Sequence, residues 1–360
     1  MKWRNRLSFA LGMVVAGIVV AGGGLKAYGQ FAYAVIADPH ATTTDHLSNL
    51  QSAVNYIIST KTARNTQLVF VAGDIAWGTG NLTAAKTVLD TLNTAGIPYV
   101  PLIGDNEVHS GYEAAFQTTF SSQYTYLAST LTNWQKAATP VSGRYLENFS
   151  FDYGNCHFAC ADFASRTSGD EGGDLNNITG GTWSWLKNDI QTCSKPKNEN
   201  INIITHIPMF RTGVSTADQY LFDSTEMSTI TTFLDSYKTN VAANYAGHIH
   251  QNFSWNVSKN WYSSTIYTSY VTDETWYDTR FPELNDTSDT VRFVTATTGA
   301  TSMSYSQSVV AVDTELYAAS LGSVSLTAIP EPGTLILLAL GLLSFGSISA
   351  CSKKRQRGHR

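Results

Sequence analysis

The stretch Gln67-Leu-Val-Phe-Val-Ala-Gly-Asp74 decides how the rest of the chain is read. Its apolar run has strand length and β-branched residues, is closed by Gly73 and ends on an acid. That is the pattern of a buried parallel strand that delivers a carboxylate to a sheet edge. A strand followed by an ordinary Gly-Asp turn has the same signature, so the meaning of Asp74 depends on its surroundings.

The pattern recurs on both sides. Phe31 to Ile36 is a short apolar run ending in Ala37-Asp38-Pro39-His40, after which Leu47, Leu50, Val54 and Ile57 fall at helical spacing. Beyond Asp74, a helix around Ala84 to Leu92 leads to the strand Pro98 to Ile103, which ends Gly104-Asp105-Asn106-Glu107. Strand-then-acid units separated by helices predict an α/β fold with a mostly parallel sheet. Sites in such sheets gather beyond the carboxyl ends of the strands, so Asp38, His40, Asp74 and Asp105 are expected at one edge. Asn148 to Gly154 and Cys156 to Phe163 then read as an antiparallel hairpin about a Gly-Asn turn, and Thr182 to Ile190 as a short helix. Ile201 to Thr205 runs into His206-Ile-Pro208, and Val241 to Ala246 into Gly247-His248-Ile249-His250. The remainder is β-rich, through Tyr262 to Val271, Val291 to Thr297 and Ser308 to Leu321, and reads as the second half of the scaffold.

The chain has 360 residues, 43% of them hydrophobic, and a formal charge of −5. No Lys/Arg stripe crosses its middle, so no nucleic-acid binding is expected. Its ends differ from its body. Residues 1–29 carry Lys2, Arg4 and Arg6, an apolar run from Phe9 to Ala21 and small residues before Gln30. This is the layout of a secretory signal peptide, with an uncleaved N-terminal anchor as the other reading. Residues 329–360 run Ile329-Pro-Glu-Pro332, an apolar segment to Ala350, then Lys353-Lys-Arg-Gln-Arg357. Composition alone makes this a membrane-spanning tail anchor. Its three parts in order also resemble the PEP-CTERM sorting signal of bacteria, which implies exosortase-type machinery as a partner and transient anchoring in the inner membrane. Between these ends, residues 30–328 form the expected exported domain, which is clearly acidic once both basic ends are removed. Export permits a disulfide from Cys193 to Cys156 or Cys160, although Cys156 and Cys160 are too far apart along one strand to bond each other.

Asp38, His40, Asp74, Asp105, His206, His248 and His250 all stand at the ends of predicted strands, in a chain with only eight histidines. Mixed carboxylate and imidazole donors suit iron, manganese or zinc rather than calcium or magnesium. Asp38-Pro-His40, Gly73-Asp74, Gly104-Asp-Asn-Glu107, His206-Ile-Pro208 and Gly247-His-Ile-His250, in that order, resemble the calcineurin-like metallophosphoesterase superfamily over roughly Phe31 to His250. The resemblance implies two packed mixed sheets flanked by helices, with a dinuclear metal site at the carboxyl ends of the strands. By position it implies Asp38, His40, Asp74 and His250 around one transition metal ion, and Asp74, Asp105, His206 and His248 around a second. The implied reaction is hydrolysis of a phosphate monoester or diester by a hydroxide bridging two ions.

The chain departs from that pattern in two places. Asp105 replaces the usual asparagine ligand, and Asn106 replaces the histidine that assists the leaving group. Asparagine can donate to a phosphoryl oxygen but cannot shuttle a proton at neutral pH, and His109 is the candidate substitute. Trp77 and His40 stand where purple acid phosphatases carry tyrosine and glycine, which implies a colourless enzyme. The alternative to an exported phosphoesterase is a surface or biofilm-matrix binding protein that keeps the fold with little catalysis.

Overall fold

The computed structural model describes residues 29–325, apart from 198–199, 214–217, 261, 274, 276–289, 299–301 and 312–314. The two basic ends, and with them the expected signal peptide and sorting segment, lie outside the described residues. Among the described residues no helix is long and apolar enough to cross a membrane.

Two strand-then-helix units and a third strand open the body: β1 (Gln30–Ile36), α1 (Thr44–Arg64), β2 (Thr66–Ala72), α2 (Thr79–Thr94) and β3 (Tyr99–Leu102). β1, β2 and β3 pair in parallel. α1 buries Leu50, Ala53, Val54 and Ile57, a stripe at helical spacing. Thr43 caps its start and Asn65, at φ 55°, closes its end in the left-handed conformation. Pro101 is tolerated in β3 because that strand forms the edge of its sheet.

A short helix, α3 (Asp105–His109), and a long one, α4 (Glu113–Thr130), follow in a stretch to which the sequence reading assigns no element. α4 has little amphipathic contrast in sequence, yet it buries Phe116, Phe120, Tyr124 and Leu127. β4 (Thr132–Lys136) pairs antiparallel with β5 (Phe149–Tyr153), which forms the expected hairpin with β6 (Cys156–Ala161). α5 (Thr182–Lys197) is seven residues longer than the sequence reading has it. β7 (Asn200–Thr205), α6 (Ser224–Asp235) and β8 (Val241–Ala246) follow, with β6, β7 and β8 paired in parallel.

The β-rich end divides between the two sheets. β9 (Phe253–Val257) and β10 (Tyr267–Val271) extend the second sheet, whose order is β4-β5-β6-β7-β8-β10-β9. β11 (Thr290–Thr298), β12 (Ser302–Ala311) and β13 (Glu315–Ser325) return to the first, whose order is β13-β12-β11-β1-β2-β3. Both sheets are therefore mixed. Their facing surfaces form one core, in which Tyr33 of β1 meets Phe158 of β6 and Tyr245 of β8 edge-on at 5.3 and 5.6 Å. A second core lies under α5 and α6, around Trp183, Ile190, Ile203 and Ile230. Cys156, Cys160 and Cys193 are buried free thiols, so the disulfide that export permits is not formed.

Candidate metal centre

The seven side chains predicted at strand ends meet where the carboxyl edges of both sheets come together. Asp38 and His40 follow β1, Asp74 follows β2, Asp105 opens α3 after β3, His206 follows β7, and His248 and His250 follow β8. Backbone bonds fix the loops against one another. The N–H of Asp38 donates to Gly73 O at 3.2 Å and that of His40 to Asp74 O at 2.9 Å. Across the sandwich, the N–H of His248 donates to Asp38 Oδ2 at 2.8 Å.

Three glycines make this proximity feasible. A Cβ on Gly73 would lie 2.4 Å from His206 Nδ1, one on Gly104 would lie 2.1 Å from Asp74 Oδ1, and one on Gly247 would lie 2.3 Å from Asp38 Oδ2. These are the glycines that precede candidate ligands in the sequence, and each gives space to a ligand from another loop.

Ligand-capable atoms cluster in three groups: Asp38 with His40 and His250, Asp105 with His206 and His248, and Asp38 with Asp74 and His206. Within each group the atoms lie within 4.8 Å of one another. His206 Nε2 is 2.7 Å from Asp105 Oδ1 and 3.3 Å from Asp74 Oδ1, while His248 Nδ1 is 2.9 Å from Asp105 Oδ1. His40 Nε2 is 3.3 Å from Asp74 Oδ2. The His206 and His248 rings pack at 5.0 Å, as do those of His40 and His250.

The donor set fits metal ions. His206 Nδ1 lies 2.8 Å from Ala72 O and donates to it, which leaves the Nε2 lone pair facing two carboxylates. Two acceptors facing a lone pair need a proton or a cation between them. Asp38 Oδ1 and His248 Nε2 are also buried without a hydrogen-bond partner. Without a cation the cluster satisfies itself with protons. Burial opposes charge on His206, but Asp74, Asp105 and Asp38 outweigh it and raise its pKa well above the usual imidazole range. Burial likewise disfavours ionised Asp105, yet His248 and His206 hold its carboxyl well below the ordinary value.

Asn106 is half-buried beside this cluster, with its N–H donating to Asp74 Oδ1 at 2.9 Å and its Nδ2 donating to Asp74 Oδ2. His109 is not brought there. It is exposed at the end of α3, about 6 Å along the axis from Asp105, and belongs to none of the three groups. Residues outside the predicted ligand set complete the surroundings. Glu107 is fully buried, and desolvation, then the charge of Asp74, push its pKa up to about 8. Its position three residues after Gly104, as in a capping box, is the available signal. Tyr220 places its ring 6.2 Å from that of His248, and Trp77 stands edge-on to His40 at 5.2 Å. Asn252 and the fully buried Arg292 brace the loop after His250, and no local pattern marks either of them.

No curated protein matches the sequence. Residues 328–351 match the family described as the PEP-CTERM protein-sorting motif. Among solved structures, the chain is similar to purple acid phosphatase PPD1 of yellow lupin (Lupinus luteus), with 13% identity and a TM-score of 0.49. That match covers 83% of this chain and 54% of the other, so the chain spans about half the length of the lupin protein. It is similar to GAP50, described as the anchor in the inner membrane complex of Plasmodium, with 12% identity and a TM-score of 0.50 over 81% of this chain and 89% of that one. TT1561 of Thermus thermophilus matches with 7% identity and a TM-score of 0.40 over 81% of this chain and 100% of that one. The chain thus carries a PEP-CTERM protein-sorting motif behind a two-sheet body with the fold of calcineurin-like metallophosphoesterases.

Proposed function

We propose that the chain is an exported, metal-dependent hydrolase of phosphate esters, with residues 30–328 as its catalytic domain and 329–360 as its sorting segment. The observation that carries this reading is the convergence of Asp38, His40 and His250 in one group and Asp105, His206 and His248 in another, with Asp74 between them. Asp38, His40, Asp74 and His250 would hold one iron, manganese or zinc ion, and Asp74, Asp105, His206 and His248 a second. Such a pair supplies a nucleophile from water at neutral pH and neutralises charge on the phosphoryl oxygens.

The chain's own residues set the rest of the chemistry. Asp74 is held by Asn106 and lies between the imidazoles of His40 and His206, which suits it to orient both halves of the site. The Asn106 amide can turn from Asp74 to donate to a phosphoryl oxygen, but it has no proton to give a departing alkoxide. Esters with good leaving groups are therefore the favoured substrates. The test is turnover of an activated aryl phosphate by the wild-type chain and by Asp74→Asn. Loss of turnover by a factor of about 100 or more supports the reading, and equal turnover rejects it.

A second reading, a surface or matrix binding protein on the same fold, is favoured by Asn106 and by the likeness to a protein described as an anchor. A metal-loaded chain inactive on mono-, di- and nucleotide esters alike would establish it. In either reading the PEP-CTERM motif points to export from a bacterium and to exosortase-type machinery as a partner.

A further inference from the structure

Glu107 has no part in the chemistry above, yet its carboxylate is fully buried and bonded at both oxygens. Oε2 accepts from the N–H of Gly104 at 2.8 Å and Oε1 from the N–H of Ala76 at 2.9 Å. These amides belong to different loops, one immediately before Asp105 and the other two residues after Asp74. The loops approach without slack, because a Cβ on Gly104 would lie 2.1 Å from Asp74 Oδ1 and the N–H of Asn106 already donates to that oxygen. Among the described residues, Glu107 is the side chain whose hydrogen bonds join both of these backbones.

We propose that Glu107 is a positioning residue that staples the Asp74 loop to the Asp105 loop and so sets the separation of two carboxylates in the metal centre. The inference rests on the metal reading above and adds to it a residue outside the ligand set. A carboxylate offers acceptors at both ends, as the two N–H groups require. An amide offers one acceptor and one donor, so a glutamine would set its NH2 against one of the two N–H groups. Loss of such support around a metal ligand typically lowers metal affinity about 10- to 100-fold.

The test uses the full chain and Glu107→Gln, with Zn2+ titration to measure affinity and stoichiometry, and amide hydrogen exchange at Ala76 and Gly104 in the metal-free state. The expected result is two tight Zn2+ equivalents in the wild type. In the variant one equivalent should weaken about 10- to 100-fold, with faster exchange at those amides and an unchanged far-UV spectrum. If Glu107→Gln does not fold, Glu107→Asp replaces it, since a side chain one methylene shorter keeps the charge but reaches only one amide. Two equivalents of wild-type affinity in the folded variant overturn the staple alone. A wild-type chain that takes up no metal overturns the metal reading on which it rests.

Discussion

At the scale of single residues, the candidate ligands are held in backbone conformations that most side chains avoid. Asp38, His40, Asp74, His248 and His250 have φ of 46°, 44°, 49°, 75° and 48°. Left-handed φ at residues other than glycine persists where surrounding contacts over-determine it, and it clusters at functional sites. Gly73, at φ 87° and against the His206 ring, is one such contact. Gly73→Ala is accordingly expected to cost about 1–3 kcal/mol of stability and to displace His206, measured as a lower Tm together with loss of bound metal. Asn106→His restores a proton donor beside Asp74. It should raise turnover of alkyl esters about 10-fold or more while changing turnover of an activated aryl ester little, and a ratio unchanged between the two would place leaving-group protonation elsewhere. Trp77, whose side chain offers no phenolate, stands edge-on to His40, so an iron-loaded sample should show no intense visible tyrosinate band.

At the scale of elements, a buried charge braces the second sheet. His157 of β6 has Nδ1 2.7 Å from Asp152 of β5 and Nε2 2.8 Å from Asp189 of α5. Burial opposes its charge, but the two carboxylates, with Cys193 beside them, push its pKa up to about 12. Because the folded value is raised, the brace contributes fully below the unfolded value of about 6.5 and is lost as pH rises toward 12. His157→Gln should cost about 3 kcal/mol near neutrality by leaving the buried Asp189 and the half-buried Asp152 without a cation between them. The gap in Tm between wild type and variant should narrow as pH rises from 7 to 11, and a constant gap would contradict a charged brace. This brace is absent from the sequence reading because its three residues are joined only by tertiary packing. The parallel strands, by contrast, are legible, since β1 and β2 are buried on both faces and carry near-continuous apolar runs, and β7 and β8 carry shorter apolar stretches that lead directly into histidines. α4 is absent from the sequence reading, although its buried Phe116, Phe120, Tyr124 and Leu127 fall at helical spacing, because Ala114, Ala115, Tyr126 and Ala128 on its other faces blur the contrast. His109, the candidate substitute donor in the sequence reading, is carried away to solvent by the short helix α3, which that reading does not include.

At the scale of the whole molecule, the site exists because two mixed sheets present the carboxyl ends of their parallel strands to each other. Contacts between residues as distant in sequence as Asp38 and His248 are made possible by that packing. The ordered blocks identify these ends in the sequence, whereas the partners beneath them, such as Arg292 under the His250 loop, come from β11 and return from the far end of the chain. Both sheets and every candidate ligand fall within residues 29–325. Under the proposed function this convergence holds a pair of metal ions that performs hydrolysis. It is tested most directly by elemental analysis of the purified chain, before and after chelation, alongside hydrolysis of an aryl phosphate. About two transition-metal ions per chain are expected, with activity lost on their removal and restored on their return. A chain that hydrolyses the ester equally well without metal, or one that retains no metal at all, would contradict it.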